Sequence, residues 1–286
     1  MLYLIIAVLM SSSVSVLMRW SEQHVRNNYA MFLANYLTCS LISAAFLFLS
    51  GGTLNFSAAG APFSILLGIN GGVLYLLCFV LLKYNIGKNG VMLSTVFMKL
   101  GVLVPAALAV IVFHERPSVF QIIGFIIAIA AIVIIYLEPK KSDDPVKRLD
   151  FSMLFLLVLL ILGGSSESLA NFYDKFGAPE LKDQYILFIF LTAALISGSV
   201  VLLKRRPVCR KDICFGVMIG IPNYFSTRFL LLSLSEVPAV VTYPVYNIGA
   251  IIIVGVFGLL LFKEKMNVRK AIGFSMIAAA LLLLNI

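Results

Sequence analysis

The string FHERPSVFQIIGF at positions 113–125 returns 149 residues later as FKEKMNVRKAIGF at 262–274. The two copies share Phe113/Phe262, Glu115/Glu264, Val119/Val268, Ile123/Ile272, Gly124/Gly273 and Phe125/Phe274. The alignment extends without gaps over 91–137 and 240–286, and Tyr75 falls on Tyr224 at the same offset. At an offset of 153, Ser12, Ser13 and Ser15 meet Ser165, Ser166 and Ser168. In each long copy an apolar run closes on a Glu, and another opens a few residues later. A carboxylate there suits the N-terminal end of the following helix, whose dipole it meets favourably. The chain is built twice.

What is built twice follows from composition. Of 286 residues, 61% are hydrophobic and 12% charged, and the mean hydropathy is +1.05. A soluble domain is roughly half apolar and about a quarter charged, and disorder requires low hydrophobicity. Both classes are excluded. A helix crossing a bilayer needs about 20 apolar residues, and the chain reads as ten such runs. They are 2–20, 29–49, 61–82, 91–113, 119–137, 151–173, 185–203, 213–234, 239–262 and 268–286. The predicted fold is all-α and integral to the membrane. Residues 1–137 form a first five-helix repeat, 138–150 a polar connector and 151–286 a second repeat. Five is odd, so the second repeat enters from the opposite side. That is an inverted repeat, with a binding site expected at the midplane between halves.

Lys and Arg number 22 against 13 Asp and Glu, a formal charge of +9. Seventeen of the basic residues fall on the side of the first, third, fifth, seventh and ninth loops; Arg116, Lys175 and Lys182 fall opposite. The excess thus marks orientation in the membrane, and no nucleic-acid partner is expected. The basic side is expected in the cytoplasm and both termini outside, in the plasma membrane. The first run lacks a basic leader and a cleavage site, so it reads as a retained helix. Cys39, Cys78, Cys209 and Cys214 lack disulfide or metal-site spacing. His24 and His114 fall in loops, and no metal or cofactor is expected.

On the 5 + 5 layout, on Phe113-His114-Glu115 and Phe262-Lys263-Glu264, and on Gly124 and Gly273, the chain resembles the drug/metabolite transporter superfamily, specifically the ten-helix EamA-type permeases. The resemblance spans the full length. It implies movement of small metabolites, often outward, without ATP. Members of that family often carry the opposite charge bias; the orientation above follows this chain's own loops.

Three ionisable residues lie deep inside apolar runs: Lys99, Glu167 and Arg228. Each costs about 2.5–3.5 kcal/mol at a helix centre unless hydrated or paired. Rise per residue puts Glu167 about 24 Å and Arg228 about 22 Å along their runs. Either they pair as a structural salt bridge, or one or both contact substrate or a coupling proton. Small multidrug transporters, which resemble this chain, use a Glu in their first helix for protons; Glu167 is in the first helix of the second half. Lys99 lies about 12 Å along its run, with no mate expected at its depth. Counting all three gives a cavity of +1, which favours a substrate bearing a carboxylate or phosphate.

Tyr75, Asn223, Tyr224, Tyr243, Tyr246 and Asn247 complete the candidate substrate site. The run Gly216–Gly220 followed by Pro222 suggests either an opened helix or close helix packing. The function these readings favour is a secondary transporter of a small organic metabolite, moved inward or outward by alternating access. The alternatives are a proton-coupled exporter of neutral or cationic compounds, and a channel or structural membrane protein. No nucleophile–base set or H-E-x-x-H motif suggests an enzyme, and no phosphate-cradling G-x-x-x-x-G-K-[ST] motif suggests ATP.

Overall fold

A computed structural model describes residues 1–49, 51–58, 60–104, 118–136, 151–237 and 239–284. Regular structure among them is helical throughout. The helices are α1 (Leu2–Ser21), α2 (Asn28–Leu49), α3 (Ala61–Asn89), α4 (Val91–Lys99), α5 (Val119–Tyr136), α6 (Phe151–Phe176), α7 (Lys182–Lys204), α8 (Arg210–Glu236), α9 (Ala239–Leu260) and α10 (Val268–Leu283). A 3₁₀ turn, Leu100–Val102, continues α4. Among the described residues, seven helices are long and apolar enough to cross a membrane, and α4 with its turn and α5 are shorter apolar helices. The chain is an all-α, multi-span membrane protein, as its composition requires. Its outer faces expose Leu41, Ile126, Leu195 and Leu202, which suits hydrocarbon as the solvent.

The strongest contacts join the two halves: α2 with α7 and α8, α7 with α3, α1 with α8 and α9, α6 with α3 and α4, α4 with α9, and α5 with α10. Exchanging each helix for the one five places later maps this set onto itself. The exchange reaches single residues. On α3, a Cβ at Gly68 or Gly72 would collide with Phe188, Ile189 and Thr192 of α7. On α8, a Cβ at Gly216 or Gly220 would collide with Met31, Ala34, Asn35 and Thr38 of α2. Gly216–Gly220 is therefore a packing seam, and the opened-helix reading is corrected: α8 runs unbroken through Pro222.

Two helix ends differ from expectation. The third run was bounded at Lys83, yet α3 continues to Asn89. Lys83 is buried because Glu22, the Ser21 hydroxyl and the Met18 carbonyl receive its ammonium. A lysine so neutralised does not end a span. At Gly90 the chain turns with φ +84°, and a Cβ there would strike the Glu264 carboxylate. That carboxylate accepts the Val91 N–H at 2.7 Å and the Met92 N–H at 3.2 Å. Glu264 thus caps α4 in the other half, and not the helix that follows it. Its counterpart Glu115, with His114, the end of the fourth run and the 138–150 connector, lies outside the described residues.

Candidate functional site

A cavity of about 90 Å³ lies where α1, α3, α4, α6, α8 and α9 meet. One water needs roughly 10–15 Å³, so the space admits several waters or part of a small metabolite. Lys99 and Glu167 both line it. Their meeting is set by backbone: a Cβ on Gly163 would collide with the Met98 carbonyl, and one on Gly164 with Gly101 and Val104. These glycines let α6 lie against α4, and Glu167 follows Gly163 by one turn.

Lys99 is 3% exposed. Its Nζ sits 3.7 Å from the centre of the Tyr246 ring, a cation over an electron-rich face. The Tyr246 hydroxyl shares a 3.1 Å hydrogen bond with Ser226. Lys99 and Glu167 share the cavity lining without an ion pair within 4.0 Å among the described residues. Glu167 Oε2 is buried without a hydrogen-bond partner among those residues. The expectation that Lys99 has no carboxylate near its depth is corrected. Depth counted from the first residue of a run fails where the helix outruns the membrane core. At 26 residues, α6 is about 39 Å long and overshoots a ~30 Å core. Counted from its far end, Glu167 is only about 14 Å in.

Arg228 does not pair with Glu167. Its Nη1 donates to Asp183 Oδ1 at 2.6 Å and to the Tyr224 hydroxyl at 2.9 Å. Its guanidinium stacks over Phe46 at 4.4 Å. Asp183 neutralises it, so the surplus of +1 inferred from sequence is corrected as well. Arg228 and Tyr224 lie one turn apart on a face of α8 that misses the cavity. Asn223, Ser226 and Thr227 line the cavity from the adjacent face, and Asn223 also donates to Asn35 at 3.3 Å.

Tyr75 lines the cavity and meets Phe190 edge-on. Tyr243 and Asn247, one turn apart on α9, are buried and do not line it. The Tyr243 hydroxyl and both amide atoms of Asn247 have no hydrogen-bond partner among the described residues. Of the nine candidates, the structure brings Lys99, Glu167, Tyr75, Asn223 and Tyr246 to one cavity. Sequence reasoning missed Ser226 and Thr227, which the i+3 and i+4 spacing from Asn223 would have found. It also missed Cys78 and Phe79, for which an apolar run offers no signal, and Asp183 as the partner of Arg228.

Residues 1–137 match the EamA-like transporter family, and residues 184–277 match the Small Multidrug Resistance protein family. An uncharacterized protein of Haemophilus influenzae is 24% identical over 279 residues, covering 94% of this chain and 92% of its own. A crystal structure of a protein superposes with a TM-score of 0.66 at 13% identity, over 98% of this chain and 96% of that one. At that identity the likeness speaks for the fold alone.

Proposed function

We propose, from the premise that this chain is a membrane transporter of the drug/metabolite type, that it carries a small organic metabolite through the Lys99–Glu167 cavity. The observation that carries the reading is one cation and one carboxylate facing the same buried space between the halves. With Arg228 neutralised elsewhere, Lys99 is left to receive a substrate carboxylate, and Tyr246 and Ser226 hold it in place. Glu167 then meets either a proton or a proton-donating group on the same substrate. A charged side chain in a low-dielectric cavity is costly when unmatched, so occupancy by a matching ligand stabilises the protein. The cycle is secondary transport by alternating access, with 1–137 and 151–286 moving as the two units and the basic side in the cytoplasm of a plasma-membrane protein.

The test is a thermal-shift screen of purified protein with small carboxylates, amino acids, phosphates and organic cations, since bound ligand stabilises by mass action. A carboxylate-bearing compound is expected to stabilise. Lys99→Gln is expected to weaken it at least tenfold, about 1.4 kcal/mol, and Lys99→Arg to keep part of the effect. Stabilisation by cations that Glu167→Gln abolishes, with Lys99→Gln unaffected, replaces this reading with export of cationic compounds. Glu167 facing the cavity is the observation that keeps that second reading alive.

A further inference from the structure

A second pocket, of about 180 Å³, opens at the basic end of the molecule, where α1, α4, α10 and the turn before α10 meet. Arg19, Lys265 and Lys270 line it together with the apolar side chains of Met92, Leu93 and Phe274. The single carboxylate lining it, Glu264, is already engaged. It accepts the first two N–H groups of α4, and Arg19 Nε lies 3.6 Å away. Lys265 and Lys270 have no ion-pair partner within 4.0 Å among the described residues. Three cations therefore face one committed carboxylate, and the pocket is short of negative charge. Its position at a helix end on the basic side puts it at headgroup depth, and basic pockets between membrane helices there suit lipid phosphates.

We propose that this pocket binds a phosphate group carried by an amphiphile. Lys265 and Lys270 meet the phosphate, and Met92 and Phe274 meet the apolar part attached to it. An anionic phospholipid and free inorganic phosphate share the first contact; only the lipid uses the second. The pocket is separate from the transport cavity and does not depend on what that cavity carries.

The experiment titrates phosphatidylglycerol into the full-length protein in neutral detergent and follows the thermal midpoint. Phosphatidylcholine is the blank, and inorganic phosphate is a separate arm. Phosphatidylglycerol is expected to raise the midpoint saturably and phosphatidylcholine not to. Lys265→Gln with Lys270→Gln is expected to need roughly tenfold more phosphatidylglycerol for the same shift. Arg206→Gln with Lys211→Gln, on the same side but outside the pocket, is expected to respond as the parent does. An equal shift with inorganic phosphate, lost in the same double variant, overturns the amphiphile and leaves a soluble phosphate as the occupant. A parental response from the Lys265/Lys270 variant overturns the site. So does an equal loss in the Arg206/Lys211 variant, which would mean diffuse surface attraction.

Discussion

Arg228 and Asn223 sit five residues apart on α8 and serve different ends. Five residues is about 500° of helix, so the two side chains leave on different faces. Asn223 turns to the cavity; Arg228 turns to Asp183 and Phe46. A double-mutant cycle reads this directly. Arg228→Met and Asp183→Asn are expected to couple by ~1 kcal/mol or more, while Arg228→Met and Glu167→Gln add within ~0.5 kcal/mol. Chemical denaturation in detergent measures both; a coupled Arg228–Glu167 pair would contradict the structure. Which residues matter was legible in the sequence, because an ionisable group in an apolar run is conspicuous. Which residue each one faces was not. Lys99 and Glu167 come to one cavity through the crossing of Gly101 with Gly163 and Gly164, a contact between segments more than 60 residues apart.

At the scale of the element, α4 is the part whose placement decides the site. Its first turn hangs on the Glu264 carboxylate, its last residue is Lys99, and Gly101 just beyond it touches α6. Gly164→Ala puts a methyl group against Gly101 and Val104, and is expected to destabilise by ~1–3 kcal/mol, as overpacking does. It is also expected to weaken any ligand of Lys99, since α4 and α6 must separate. Gly255→Ala, where a Cβ meets nothing within 4 Å, is expected to change stability by less than ~0.5 kcal/mol. Melting midpoints of the two variants make the comparison; equal midpoints would mean that the crossing is loose. The sequence marked Glu264 as a capping residue, but assigned it to the neighbouring helix. Local spacing predicts that a cap exists and is silent on a helix end some 170 residues away.

For the whole molecule, the ten apolar runs, the duplication and the basic bias were all readable, because each is a property of composition or spacing. The packing seams were readable only as small-residue spacing, since Gly-x-x-x-Gly fits a seam and a break equally well. The basic bias predicts orientation. With single cysteines at Ser57 and Arg206, an impermeant thiol reagent on intact cells is expected to label the first and spare the second. The reverse pattern would turn the molecule over. The contact pattern between halves also bears on how the protein is made. A ribosome delivers α1 through α5 to the bilayer before α6 through α10 exist, yet most helix neighbours of the early segment belong to the late one. During that interval Lys99 sits in lipid without the Glu167 side of its cavity, and the early helices have little to pack on but one another. The nascent first half is therefore expected to pack loosely until the second half is made.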